Sequence, residues 1–468
     1  MNDIRRMLVS EFFQSADEHA WLRRIRYVVL MGIILRLAMV FGVVGGMQQM
    51  GDGPAYVRQA TELLSGTVDH FYFPPGTALF TLPVFAVFGV TPFSEHLAGV
   101  LISIAFLGGV VWLAQTVLTS KRAVFLAAAL ASIYPHVVLS AAQISSLPLT
   151  AALVCVAIAA CVRGQRDSRS WWIVSACASA MAILVRPGTA LLPVVLGLWG
   201  MVVAYRSGQP LMRLLGVPGI LLSCTAMFCV PVMVFHAARG HGWTLATNAE
   251  WNLLLANNPY APDYKTGHFG QRAIADLSPD AQAFIRQFFS TETAEPASLE
   301  QRTRMADSAK AYIISHPART LWRISNRARG FFGCDYTAAR EMQLVFGYSD
   351  AMFGLLMAFE GGVFILVFIG WLFFLLGYAP GGMLPKYAHV GVMLAIIAPH
   401  LAAFALAKYH LPVVPIMICG AAACIDGVIG RDRNLLGRLE KRRMWLMSMV
   451  VAVFVVQVEH LYQLILLR

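Results

Sequence analysis

The stretch Tyr27-Val28-Val29-Leu30-Met31-Gly32-Ile33-Ile34-Leu35-Arg36-Leu37-Ala38-Met39-Val40-Phe41-Gly42-Val43-Val44-Gly45-Gly46-Met47 carries a single charge, Arg36. One helix needs about 20 mainly apolar residues to cross the hydrocarbon of a bilayer, and this run supplies them. Arg23, Arg24 and Arg26 stand before it, and Gln48-Gln49-Met50-Gly51-Asp52-Gly53-Pro54-Ala55-Tyr56 follows. A basic flank on one side and a polar, turn-forming flank on the other make it a spanning helix with its arginine end in the cytoplasm.

The rest of the chain repeats the pattern. Of 468 residues, 58% are hydrophobic and only 13% are charged, against about 25% charged in a soluble domain. A water-soluble fold could not hide so much apolar surface, and disordered, collagen-like and coiled-coil classes are excluded too. Eleven runs read as spans: 27–47, 96–118, 123–142, 148–162, 171–185, 189–205, 214–236, 352–377, 387–407, 411–426 and 444–466. The eight cysteines form no CxxC pair and seven lie in apolar runs, so they read as small membrane-core residues, not as a zinc site or disulfide framework. The expected fold is an all-α polytopic membrane protein of about eleven transmembrane helices. Its parts would be a transmembrane module over 1–236, an outer loop region over 237–351 and C-terminal helices over 352–468.

The net charge of +11 follows the same topology. With the N-terminus cytoplasmic, 19 of the 36 basic residues fall in short cytoplasmic segments, from Arg5 and Arg6 through Lys121, Arg122, Arg163, Arg166, Arg169, Arg206, Arg213 and Lys386 to the Arg431–Arg443 cluster. The charge is a topology mark, and nucleic acid is not an expected partner. The first 26 residues lack the short apolar core of a removable signal and are expected to be retained.

Two outer segments are too long to be mere connectors. The first, 48–95, holds two short helical stretches around His70-Phe71-Tyr72-Phe73-Pro74-Pro75-Gly76, the second of them apolar and expected to lie along the membrane surface. Asp52 could deprotonate a hydroxyl or simply start a helix ahead of Pro54. His70 could serve as a proton donor or phosphate partner, or be a solvated loop residue. In the second segment, Asn248, Asn252, Asn257, Asn258 and Thr266-Gly267 suit sugar hydroxyls and turns alike. Arg319, Arg323 and Arg327, at helical spacing after His316-Pro317, suit a lipid phosphate or ordinary snorkelling. Lys408-Tyr409-His410-Leu411-Pro412 sits at a span mouth, where polar groups usually line a site, and Arg186-Pro187 occupies an equivalent position. Arg36 and Glu360 are the ionisable residues clearly within spans. There is no GxxxxGK[ST], GxGxxG, DxD or HExxH motif, so soluble-type nucleotide chemistry has no visible machinery.

In their joint order these elements resemble the GT-C superfamily of integral membrane glycosyltransferases, near glycosyltransferase family 39, which includes aminoarabinose transferases and protein O-mannosyltransferases. The matching residues are Asp52 with Tyr56, Phe73-Pro74-Pro75-Gly76 leading into Leu82-Pro83-Val84-Phe85 and Phe88-Gly89, and Leu184-Val185-Arg186-Pro187. The segment from Asn248 to Pro259, His316-Pro317, and Tyr409-His410-Leu411-Pro412 approaching Pro415 complete the series. The resemblance implies a GT-C fold in the inner membrane, a polyprenyl-phosphate-linked sugar donor, and an envelope lipid, glycan or protein acceptor at the periplasmic face. Asp52 would be the catalytic base, with Arg58, His70, Tyr72, Arg186, Asn252, Asn258, Lys408, Tyr409 and His410 as substrate-binding candidates. Three departures stand out. The segment Gln143-Ile144-Ser145-Ser146-Leu147-Pro148 lacks the acidic residue usual in the family, so no cofactor is expected and a divalent cation lacks support. Lys408 stands where relatives have Arg, and Ala256 where they have Gly. A transporter or flippase, an O-antigen ligase or polymerase, and a non-catalytic assembly subunit are the rival classes.

The basic-loop pattern makes a direct prediction. Single cysteines at Ser168 and Arg438, in a background without the native cysteines, should be labelled from the cytoplasm, and those at Asp69 and Ser298 from outside. Outward labelling at position 168 would reverse the loop assignment.

Overall fold

The computed structural model describes residues 2–264, 274–288, 298–377 and 386–466, and among them the regular elements are all helices. Thr266-Gly267 lies outside the described residues. Among the described residues, eight helices are long and apolar enough to cross a membrane: His19–Val43, Pro92–Val117, Ser146–Arg166, Pro187–Arg206, Leu215–Ala238, Asp350–Gly377, Ala407–Ile429 and Arg443–Tyr462. Two more of the expected spans are shorter apolar helices, Ser170–Val185 and Ala388–Ala402.

The span expected over 123–142 is not a single helix. It runs as Lys121–Ser132, breaks at Ile133-Tyr134, and resumes for five residues as Pro135–Leu139. Pro135 is the cause: it has no N–H to donate and drives the preceding residue out of the helical region, and Tyr134 sits at φ −57°, ψ 112°. A broken helix inside an apolar bundle exposes carbonyls that must find partners within the protein. Arg36 supplies them. Fully buried, it donates from Nη1 to Ser132 O (2.9 Å) and Gly32 O (2.9 Å), from Nη2 to Ala131 O (3.0 Å), and from Nε to Ser103 Oγ (2.8 Å). The Ser103 hydroxyl donates in turn to Val137 O beyond the break (3.0 Å). Close approach of the first span depends on Gly32, where a Cβ would come within 2.6 Å of Ser132 Oγ.

Ser146–Arg166 and Ala407–Ile429 form the centre, each with 78% of its apolar window buried, against 11% for Leu215–Ala238 at the periphery. Small residues let the central helices approach closely: Ala151, Ala157, Ala159 and Ala160 are fully buried, and a Cβ at Gly109 would lie 3.1 Å from Ala152 Cα. Pro92–Val117 starts in a capping box between Thr91 and Ser94.

The two ends of the bundle differ. Basic residues of the expected cytoplasmic loops meet neighbouring helix ends: Arg122 pairs with Asp426, Arg166 donates to Thr116 O (3.4 Å), and Arg438 donates to Gly377 O. The opposite end carries the outer segments. Gly53–Ser65 and Gly76–Phe88 pack on each other, and Trp251, Leu254, Ile285 and Met305 form a small separate core in the second segment.

The arginine row does not face lipid. Arg319 and Arg323 both donate to Asp263 Oδ1 (2.6 and 2.8 Å), Arg323 also to Asn258 O (3.0 Å), and Arg327 to Ala256 O (2.7 Å) and Leu401 O (2.8 Å). The helix Pro317–Phe331 turns this row toward the 256–263 loop, whose bare carbonyls take the guanidinium protons.

Arg36→Leu should leave the Ala131 and Ser132 carbonyls unpaired in an apolar interior, at about 1–3 kcal/mol each. The expected result is a lowered thermal midpoint and less monodisperse protein in detergent. An unchanged melting curve would show that the break does not depend on Arg36.

Candidate active site

Asp52 follows a turn made by Gly51, whose φ of +57° favours glycine. It stands ahead of the helix Gly53–Ser65, but its side chain makes no capping hydrogen bond. The helix-start reading therefore holds for the backbone only, and the exposed carboxylate is left to the cleft. Two glutamines fix the turn. Gln143 Oε1 accepts from Met50 N (2.7 Å) while its Nε2 donates to Gln48 O (3.1 Å), and Gln49 Nε2 donates to Ala142 O (3.0 Å) while its Oε1 accepts from Ile144 N (2.8 Å). At Gln143, where the resemblance would place an acidic residue, the amide instead stitches the Asp52 turn to the chain beyond the broken span.

The cleft is narrow, about 40 Å³, and its charged lining comes from five elements: Asp52, His136, Arg186, Glu341 and Lys408, with Tyr56, Ser145, Ser146 and Tyr409 between them. Arg186, at the end of Ser170–Val185, donates from Nη1 to Ser146 Oγ (3.0 Å) and lies over the Tyr409 ring at 4.9 Å. Ser146 opens the 21-residue helix Ser146–Arg166, so the positive end of that dipole faces the same space as the two cations. Tyr56 is buried, and burial, reinforced by Asp52, pushes its phenol well above the ordinary range.

Glu341 is the residue that sequence reasoning missed. It lies on Thr337–Phe346, and burial raises its carboxyl while Lys408 opposes the rise. Its helix is anchored by two other carboxylates. Glu360 accepts from Ala338 N (3.2 Å) and Ala339 N (2.9 Å), and Asp335 Oδ1 accepts from Tyr336 N (2.9 Å) and Thr337 N (3.1 Å). His136 Nδ1 lies between them, 2.8 Å from Glu360 and 3.0 Å from Asp335. Burial would raise the Asp335 carboxyl, but His136 holds it far below the usual range. The three donor atoms lie close enough to share an ion, but Glu360 and Asp335 Oδ1 accept from the helix start, and Asp335 Oδ2 faces His136. A proline-broken span carrying His136 opposite an intramembrane Glu360 was the available sequence clue.

Of the sequence candidates, Asp52, Arg186, Lys408 and Tyr409 come together in the cleft, and the others lie outside its lining. His410 is fully buried, its Nδ1 on Phe331 O (3.0 Å) and its ring stacked on Phe364 at 3.8 Å, so it packs the core and offers nothing to a substrate. Asn258 is likewise consumed, donating to Leu254 O (2.7 Å) and accepting from Tyr260 N and Ala261 N (both 2.8 Å) in a turn. Asn252 lies on Ala249–Ala256. Arg58 pairs with Glu62 at 3.9 Å, and Tyr72 packs edge-on against Phe73. His70 sits beside Asp69 and His241. A roomier pocket of about 290 Å³, lined by Gly164, Arg169, Trp172 and Gly200, brings no set of opposed charges together.

The sequence matches no protein family and no curated protein. In structure the chain is similar to ArnT from Cupriavidus metallidurans in the apo state, at 16% identity and a TM-score of 0.37, over 87% of this chain and 78% of that one. It is also similar to the Archaeoglobus fulgidus oligosaccharyltransferase in the apo form, at 13% identity and a TM-score of 0.47, over 94% of this chain. The chain spans about half the length of the archaeal protein, 55%. ArnT is also seen bound to undecaprenyl phosphate, and the archaeal enzyme, AglB, with an inhibitory peptide and a dolichol-phosphate. The likeness is loose in detail, and the functional reading rests on the cleft's own residues.

Proposed function

We propose that the chain is a membrane glycosyltransferase that moves a sugar from a polyprenyl-phosphate donor to a hydroxyl of an envelope lipid, glycan or protein, at the outer face of the inner membrane. One observation carries the reading: in a single cleft at a bundle mouth, a free carboxylate, Asp52, shares the space with two cations, Lys408 and Arg186, and a helix N-terminus. A polyprenyl tail needs an apolar lateral surface, and Pro187–Arg206, which starts beside Arg186, exposes Leu191, Val194 and Leu198. The phosphate needs positive charge where that surface meets water.

The chemistry divides between the two kinds of group. The acceptor oxygen attacks the anomeric carbon, the bond from that carbon to the phosphate oxygen breaks, and the acceptor proton passes to Asp52. Charge grows on the leaving phosphate as the bond breaks, so Lys408, Arg186 and the Ser146 helix start stabilise the transition state more than the ground state. Glu341, half-buried beside Lys408 in the cleft lining, offsets the cation and orients the acceptor. A transporter would need ionisable groups along a path, whereas Arg36 is consumed by internal carbonyls and Glu360 by His136 and a helix start.

The experiment is incubation of the purified protein with labelled polyprenyl-phosphate sugars, scoring release of the lipid phosphate. Asn serves a helix start about as well as Asp, so Asp52→Asn should fold and bind donor yet transfer sugar at least about a hundredfold more slowly. Near-wild-type turnover, with loss in Glu341→Gln instead, would move the base to Glu341. Lys408→Ala should weaken donor affinity while Lys408→Arg keeps most of it, and equal donor affinity in wild type and Lys408→Ala would remove Lys408 from the phosphate site.

A further inference from the structure

His70 has left the cleft for a different arrangement. Asp69 Oδ2 lies 3.3 Å from His70 Nδ1 and 3.0 Å from His241 Nε2, and the three donor atoms all fall within 4.8 Å of one another. Ligands about 2.0–2.1 Å from a tetrahedral ion stand roughly 3.3 Å apart, close to the two spacings to Asp69, and the two imidazole donors lie within 4.8 Å of each other. From this geometry we infer that Asp69, His70 and His241 form a site for a divalent transition-metal ion of the zinc class, outside the catalytic cleft.

The local fold presents the ligands before any ion arrives. His241 sits between Gly240 and Gly242, both at positive φ (+79° and +74°), so it occupies the tip of a turn that side chains on either flank would strain. Its carbonyl accepts from the buried Arg302, which ties the turn to the helix Leu299–Ser315. On the other side, Phe71 N donates to His236 Nε2 (2.8 Å) and Phe71 O accepts from Thr247 N (3.0 Å). His236 Nδ1 faces Thr244 O (2.7 Å), so both its ring nitrogens are taken and it is not a fourth ligand. Asp69 is mostly exposed, and its carboxylate lies within hydrogen-bond distance of both imidazoles.

The donor set is chemically selective. Two imidazoles and one carboxylate suit zinc and its neighbours and disfavour magnesium and calcium, which prefer all-oxygen shells. Three protein ligands leave a coordination position open to water. The ligands join sequence positions more than 170 residues apart, so an ion here would pin the first outer segment to the second. The turn it pins continues into Phe73, whose ring packs against Tyr56 at 5.2 Å in the wall of the cleft.

The test uses the full chain, purified in detergent without a histidine tag and stripped with chelator. Titration with Zn²⁺ by calorimetry, and with Co²⁺ by visible absorption, should give one ion per chain with a Co²⁺ spectrum containing nitrogen ligands. Loss of a group that merely supports a ligand already costs about 10–100-fold in metal affinity, so His70→Ala/His241→Ala and the exposed single variant Asp69→Asn should each lose at least that much. Monodispersity on size exclusion identifies a folded variant, and Asp69→Asn alone decides the matter if the double variant fails to fold. Wild-type protein that binds neither ion, or variants that bind as tightly as wild type, would overturn the site.

Discussion

A backbone carbonyl with no partner in an apolar interior costs about 1–3 kcal/mol, and the break at Ile133-Tyr134-Pro135 creates several at once. The arrangement of the bundle around that break answers this cost. Arg36 brings Nη1 to Ser132 and Nη2 to Ala131, Ser103 links Arg36 to Val137, and Gly32 removes the side chain that would hold the first span away. An arginine in the middle of a spanning helix would be expensive if it faced lipid. Here its charge is spent on dipoles that would otherwise be bare, so the first span and the broken third span are locked together by the same bonds that make each tolerable.

The break also turns the chain so that it can build a site. An unbroken helix over 123–143 would carry His136, Ser140 and Gln143 along one rod, whereas the break and the short helix Pro135–Leu139 let them diverge. His136 reaches Asp335 and Glu360, Ser140 lines the cleft, and Gln143 turns to the Asp52 loop. From His136 the effect passes outward: Glu360 and Asp335 hold the first N–H groups of Thr337–Phe346, and that helix presents Glu341. Both carboxylates of the cleft are thus tied to the chain after one proline, Glu341 through His136 and the Asp52 turn through Gln143.

Sequence reading reached the features written in local patterns. Apolar runs and basic flanks gave ten of the spans as single helices, because periodicity and length are properties of a continuous stretch. Asp52, Arg186 and Lys408 were visible as charged or turn residues at span ends. The third span was misjudged since Pro135 breaks a helix only when the surroundings can satisfy the freed backbone, and Arg36 is 96 residues from Ser132. His410 and Asn258 were misjudged for the converse reason: a polar residue type does not reveal that Phe364 stacks on one or that two backbone N–H groups claim the other. Glu341 carries no motif at all, and only the folded helix brings it to Lys408.

The charges in the cleft also account for the choice of lysine at 408. A guanidinium there would present a planar, two-pronged donor suited to a fixed bidentate partner, while an ammonium is a compact point charge on a flexible stem. Arg186 is already held by Ser146 and stacked over Tyr409, so the fixed, oriented cation of the pair is present. The second cation, Lys408, shares the cleft with Asp52 and Glu341, and in the proposed reaction it would exchange them for a phosphate. A point charge that exchanges one anion for another without a set geometry does this at lower cost than a fork that must break two aligned bonds. The cleft therefore combines one preset cation, Arg186, with a second, Lys408, that shares its space with both carboxylates, and in the proposed reaction a phosphate reaching Lys408 would release the carboxylate that accepts the proton.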